Sequence, residues 1–174
     1  MLFGEDAGGR DVRDSGLELV LPAADDIPVA THHRIEAHAY KGVLPAGAVF
    51  PFDFGFVPST RAEDRDPLDV LVLMDAPVFP GCVVPARVIG VIEAEQTEDG
   101  QTERKDRLLA GAANSATHRS IKALSDLSPD LIAQIEHFFV SYNEAKGKRF
   151  DVKGRAGNRR ALALVKRAIT GTRR

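Results

Sequence analysis

Asp64-Arg65-Asp66-Pro67-Leu68-Asp69 runs without a break into Val70-Leu71-Val72-Leu73-Met74, and the fold is read outward from that junction. Five consecutive apolar residues ahead of further turn residues predict a central strand covered on both faces. Three carboxylates within six residues at the mouth of such a strand repel one another unless a cation neutralises them. Pro67 fixes its own φ and pushes Asp66 toward an extended conformation, so the acids sit on a stiff turn. Ideal strand alternation would place Asp64 and Asp66 on one side and Asp69 on the other, whereas the proline turn allows all three to converge. Hard oxygen donors with no Cys or His between them suit magnesium, or manganese, rather than zinc. A solvated acidic turn ahead of a core strand is the other reading of the same residues.

Upstream, Leu17-Glu18-Leu19-Val20-Leu21 predicts a first strand stopped by Pro22, and residues 1–16, rich in Gly, Asp and Arg, predict a loose arm. The stretch 31–38 alternates weakly. Its histidines do not gather: His32 and His33 would face opposite ways on a strand, and His38 would lie about 20 Å from His32 at ~3.3 Å per residue. Phe50, Phe52, Phe54 and Phe56 alternate and so line one face, a pattern that predicts core. Downstream, residues 82–95 read as a long strand with Gly90 at a bulge, and residues 96–106 as a charged hairpin loop before a strand at 107–110.

Helical periodicity comes late. Ser128 is placed to cap a helix with Pro129 at its first position; Leu131, Ile135, Phe138 and Tyr142 form its stripe, with Ile132 and Phe139 beside it and Gly147 closing it. Phe150-Asp151-Val152 predicts a last strand, and Asn158 caps a final helix carrying Leu162, Val165 and Ile169. Strands followed by two helices point to an α+β, mainly β fold: an antiparallel barrel with two C-terminal helices packed on it.

A chain of 174 residues fits one domain, 1–174, with ordinary apolar (44%) and charged (28%) fractions. Its net charge of -2 argues against a dedicated nucleic-acid binder. Lys146, Lys148, Arg149, Lys153, Arg155, Arg159 and Arg160 nevertheless put seven basic residues in fifteen, a run that either tracks phosphates or is a solvated or intersubunit surface. The single cysteine, Cys82, excludes an internal disulfide. No apolar run is of bilayer length, and the first residues do not resemble a signal peptide, so the expectation is a cytoplasmic protein without membrane partners.

At the acidic turn the chain resembles the soluble family I inorganic pyrophosphatases, whose signature is Asp, a small residue, Asp, Pro, an aliphatic, Asp, then an aliphatic strand. Asp64 to Val70 matches it with Arg65 in the small position. Phe50-Pro51-Phe52-Asp53-Phe54-Gly55 is similar to the family's Tyr-Pro-x-Asn-Tyr-Gly segment. Pro80-Gly81, Gly90-Val91, the helix Gln134 to Phe139 with Tyr142, and Lys146-Gly147-Lys148 extend the likeness over most of the chain. The resemblance implies a closed, OB-like five-stranded barrel, magnesium-dependent hydrolysis of pyrophosphate, and a cytoplasmic homo-oligomer, a hexamer in most bacteria. It implies Asp66 as catalytic base, Asp64, Asp66 and Asp69 as metal ligands, and Arg34, Glu36, Arg107 and Tyr142 as substrate-binding residues. Arg34 and Arg107 replace lysines, keeping charge but altering reach.

Several positions depart from the family pattern: Val20 for a glutamate, Gly42 for an arginine with Lys41 adjacent, Phe50 and Phe54 for tyrosines, and Asn143 for a lysine. Gln96 and Lys105 stand where the family has two further metal-binding aspartates, with about four residues inserted between them. Glu98, Asp99, Glu103 and Asp106 are the replacement ligands the loop offers. Two functions follow from these residues. One is a divergent pyrophosphatase, acting on pyrophosphate or another small diphosphate. The other is a catalytically silent relative that binds phosphate, a metabolite or a protein partner.

Overall fold

Val70, Leu71, Val72 and Leu73 are fully buried, as their uninterrupted apolar run requires. They lie at the centre of a computed structural model that describes residues 3–4, 17–20, 38–39, 49–78 and 81–171. In chain order the elements are β1 (Phe3–Gly4), β2 (Leu17–Val20), β3 (His38–Ala39), β4 (Asp53–Val57), β5 (Leu68–Leu73), β6 (Cys82–Glu98), β7 (Gln101–Arg104) and β8 (Arg107–Ala112). A 3-10 turn (Leu124–Asp126), α1 (Pro129–Glu144), β9 (Arg149–Gly157) and α2 (Asn158–Gly171) complete it.

β5 pairs antiparallel with β4 and parallel with β8; β8, β7 and β9 all pair antiparallel with β6. β2 pairs parallel with both β4 and β6. The result is a mainly β, seven-stranded sheet curled into a half-barrel and carrying two helices. The expected two terminal helices are separated by β9, which runs well beyond the three residues predicted from sequence.

Strand alternation sorts the core into two layers. Val70 and Val72 of β5 join Leu108 and Ala110 of β8 against Ala161, Leu164, Val165 and Ala168 of α2. Leu71, Leu73 and Leu109 point the other way, against Ile132, Ile135 and Phe139 of α1. β6 serves both layers because a bulge at residues 88–90 changes its phase. Val84, Ala86 and Val88 face the α2 layer before it; Val91 faces that layer after it, while Ile89, Ile92 and Ala94 face α1. Gly90 is needed there: a Cβ would stand 2.9 Å from the Ala156 carbonyl oxygen and 3.0 Å from Leu124 Cβ.

The charged hairpin is strand rather than loop. β6 and β7 meet at Asp99–Gly100, whose φ angles of 49° and 76° give the paired left-handed turn residues that suit a two-residue hairpin. α1 begins as predicted, with Pro129 first and the Ser128 side chain accepting from the Leu131 N–H at 3.2 Å. Its buried stripe is shifted by one position, to Ile132, Ile135, Phe139 and Tyr142, leaving Leu131 and Phe138 half-buried. Gly147, at φ 74°, closes it.

Three of the four alternating aromatics are core, as predicted: Phe54 is buried and Phe50 and Phe52 pack against the α1 layer, while Phe56 is half-buried and joins neither layer. Of the predicted strand over 31–38, only His38 is among the described residues; it pairs with Gly4. Of the predicted arm, Phe3–Gly4 is described, as β1. Among the described residues no helix is long and apolar enough to cross a membrane.

Candidate active site

The acidic turn is held at both ends. Thr60 is buried, donates its hydroxyl to the Val57 carbonyl at 2.5 Å and accepts the Leu68 N–H at 3.0 Å, stapling the end of β4 to the start of β5. The Ala62 N–H donates to the Asp66 carbonyl at 2.7 Å, and the Arg65 N–H to the Ala62 carbonyl at 3.1 Å. Asp64 accepts the Asp66 N–H at 3.0 Å, so its carboxylate also caps the turn. Arg65 sits at φ 71°, a left-handed conformation that disfavours any residue with a Cβ. Glycine, which has no Cβ, would suit this position without that strain.

The turn does not gather its three carboxylates at one point. Lys105 pairs with Asp64 and stands 3.5 Å from Asp66, while Arg107 pairs with Asp69. Asp64 and Asp66 therefore converge on one ammonium and Asp69 on a guanidinium. The Lys105 side chain is 13% exposed and that of Asp64 8%, so their pair is shielded from bulk water. Lys105 is fixed by its backbone: its N–H donates to the Ala94 carbonyl at 2.9 Å, and the Ala94 N–H donates to Asp106 at 3.2 Å.

Arg107 enters from β8 through an aromatic floor. Its guanidinium carbon lies 5.4 Å from the Phe139 ring centroid, 5.5 Å from Phe150 and 5.8 Å from Phe54. Planar stacking of this kind favours Arg over Lys. Its Nε is buried with no hydrogen-bond partner among the described residues, a donor that a phosphate oxygen or a water would satisfy. Arg61, Asp64, Asp69, Arg104, Lys105, Arg107 and Arg167 line one pocket of about 280 Å³, with Leu164 and Ala168 of α2 on its apolar side.

Tyr142 lies on the aromatic side, stacked on Phe138 at 5.7 Å and tilted against Phe50 at 5.5 Å, and its hydroxyl takes a hydrogen bond from Lys146. Phe50 and Phe54 stack on each other at 5.1 Å, so the two rings without hydroxyls fill the core. Asn143 is buried and donates to the Phe139 carbonyl at 2.7 Å. Arg34, Glu36, Lys41 and Gly42 lie outside the described residues, as do His32 and His33, and of Val20 the structure describes only its place in β2. Gln96 is paired in the ladder opposite Glu103 and Phe150. Glu98 is taken by Lys148 at 2.7 Å and Asp106 by Arg104 at 2.8 Å.

The basic run at 146–160 is largely committed to the sheet. Lys148, Arg149, Lys153, Arg155 and Arg160 pair with Glu98, Asp151, Glu95, Glu136 and Glu93 at 2.6 to 3.1 Å. Lys146 lies 4.2 Å from the Tyr142 ring centroid.

The family resemblance puts Lys105 in a metal-ligand position; its ion pair with Asp64, across 41 residues, is what the structure adds. Sequence reasoning missed Asp75, Ser115 and His118. Ser115 donates to Asp75 at 2.9 Å and lies 3.2 Å from His118 Nδ1, while the Ala116 and Thr117 N–H groups also reach Asp75. Hydrogen bonds from the Thr117 side chain, the Ala116 N–H and the Ser115 hydroxyl hold the Asp75 carboxyl well below the usual carboxylate range. This is a turn cap rather than a nucleophilic triad, since one ring nitrogen, His118 Nδ1, faces both Ser115 and Asp75, the latter at 3.5 Å, whereas a triad uses one nitrogen for each.

The magnesium implied by the resemblance is tested by this donor set. Among the described residues no three His, Cys, Asp or Glu side chains stand together as a metal site. An ammonium fills the place between Asp64 and Asp66. These residues do not fit a preformed cluster of divalent ions. They do fit a magnesium that arrives on a substrate's phosphates and meets one or two carboxylates, its usual mode of binding.

Fold and pocket together define a mainly β protein with a charge-dense pocket beside the acidic turn. The family profile described as inorganic pyrophosphatase matches residues 21–173, and the chain belongs to that family. It is 37% identical over 135 residues to the inorganic pyrophosphatase of a Nostoc species, covering 78% of each chain. It is 33% identical over 150 residues to that of a Synechocystis species, covering 83% of this chain and 86% of the relative. Among solved structures, the Helicobacter pylori enzyme superposes with a TM-score of 0.72 at 32% identity, covering 79% of this chain and 81% of that one. The Thermus thermophilus enzyme gives 0.72 at 33% identity, over 80% and 79%.

Proposed function

We propose that this protein hydrolyses inorganic pyrophosphate to phosphate, taking the substrate as its magnesium complex, with manganese able to replace magnesium. The observation that carries this is the pairing of Asp64 with Lys105 and of Asp69 with Arg107 at the lining of one pocket. Water attacks one phosphorus in line with the bridging oxygen, the bridging P–O bond breaks, and two phosphates leave. Asp66 takes the proton from the attacking water. Arg107, with its unsatisfied Nε, and Arg34, Glu36 and Tyr142 bind and orient the phosphates, and the cations absorb the charge on the departing group. Magnesium on the substrate would supply further neutralisation of phosphate charge, and one or two of the carboxylates Asp64, Asp66 and Asp69 would meet it.

The double pairing of β2 supports closure of β2, β4, β5, β8 and β6 into a five-stranded barrel. One domain over residues 1–174, a cytoplasmic location and a homo-oligomer, hexameric by family likeness, complete the reading.

Phosphate release from pyrophosphate with magnesium or manganese tests it. Turnover is expected, and Asp66→Asn should reduce it by about 10²-fold or more. No turnover with either ion overturns hydrolysis and leaves a silent phosphate-binding relative, the reading favoured by the grip of Lys105 on two of the three carboxylates.

A further inference from the structure

We infer that Lys105 is a tethered counter-ion that replaces a divalent metal between Asp64 and Asp66. The inference rests on the proposed site but not on its turnover.

Three observations carry it. The Lys105 ammonium contacts Asp64 and lies 3.5 Å from Asp66, the position from which one cation serves both carboxylates. The pair is shielded from solvent, so it is not one of the water-screened pairs that form and break at a surface. Lys105 is also delivered there by built structure: its N–H and the Asp106 carboxylate clamp Ala94 from both sides, and Arg104 holds Asp106 in turn. Two of the hairpin's carboxylates already have cations of their own: Asp106, which lines the same pocket, pairs with Arg104, and Glu98 pairs with Lys148.

Charge arithmetic shows why such an exchange is tolerable. A carboxylate holding a divalent ion contributes one net positive charge, and a lysine in the same place contributes the same. A phosphate facing the turn therefore meets an equal charge by either device. A divalent ion and an ammonium cannot share the position, because their repulsion acts at a few ångströms in a shielded pocket. The exchange makes part of the site's positive charge covalent and independent of dissolved metal.

The test is manganese binding to metal-stripped protein without pyrophosphate, followed by calorimetry and thermal unfolding. Lys105→Met removes the charge at similar length, and Lys105→Arg keeps it. Lys105→Met should bind manganese at least tenfold more tightly than wild type, or at one additional site per chain, and should gain more in Tm from manganese. Lys105→Arg should behave as wild type. Equal stoichiometry and affinity in wild type and Lys105→Met overturn the inference. Should Lys105→Met fail to fold, an anomalous-scattering map of manganese-soaked wild type decides. A peak between Asp64 and Asp66 overturns the proposal, and its absence there with occupancy elsewhere in the pocket, or none, supports it. Either result stands whether or not the protein hydrolyses pyrophosphate, which the phosphate-release assay decides separately.

Discussion

Two sets of ion pairs lie within reach of β6, and they differ in what they are made to do. On the outer face Glu93, Glu95 and Glu98 meet Arg160, Lys153 and Lys148, strung along the ladder with their cations a quarter to a half exposed. At the acidic turn Asp64, Asp66 and Asp69 meet Lys105 and Arg107, side chains brought in from one short segment and largely withdrawn from water. Charge of both signs is present in each. The outer pairs are satisfied within the sheet and screened by solvent, so each contributes little. The inner pairs crowd unlike charges into a pocket, where losing one partner strands the other. Charge density alone therefore does not mark the site; convergence and shielding do.

Arg107→Met strikes the inner set hardest. It should cost about 3 kcal/mol or more in denaturant unfolding, since it removes the guanidinium that pairs with Asp69 and packs among Phe54, Phe139 and Phe150. A cost below about 1 kcal/mol would erase the contrast between the two sets.

Arg65→Gly separates charge from backbone within the turn. It should stabilise the protein by about 1 kcal/mol by relieving the left-handed conformation at φ 71°. A loss of stability instead would mean that the Arg65 side chain supports the turn more than its backbone strains it.

Lys153→Ala probes the outer set. Removing its 2.9 Å pair with Glu95, about half exposed on both sides, should change stability by roughly 0.5 kcal/mol or less. Phosphate release should stay at the wild-type rate, and a large drop would bring the outer face into the function.

What the sequence made legible was local. The apolar run Val70 to Leu73 reads as a two-sided core strand because both its faces are covered. Ser128 and Pro129 announce α1 because capping is settled within four residues. The family likeness at Asp64 to Asp69 located the pocket wall. The opposite wall, Lys105 and Arg107, was legible only through the same likeness, because the path from Asp64 to Lys105 crosses β5, β6 and β7 and no periodicity registers a contact across them. The acids of the hairpin, offered as replacement ligands, read as available only while their partners are unknown; Arg104 and Lys148 claim two of them. β9 ran longer than its apolar core suggested, since its outer residues are polar and find their partners on β6.

The phase change at Gly90 has a consequence for how this chain can vary. Before it, even-numbered residues of β6 line the aliphatic layer; beyond it, even-numbered residues line the aromatic one. Residues whose side chains leave both layers, such as Val83 and Pro85, are open to replacement, but the count of residues is not. One residue added or removed between Val88 and Val91 would exchange the two linings along half the strand and put the Ala94 anchor of Lys105 on the wrong side. Spelling is permissive along this strand, and length is strict.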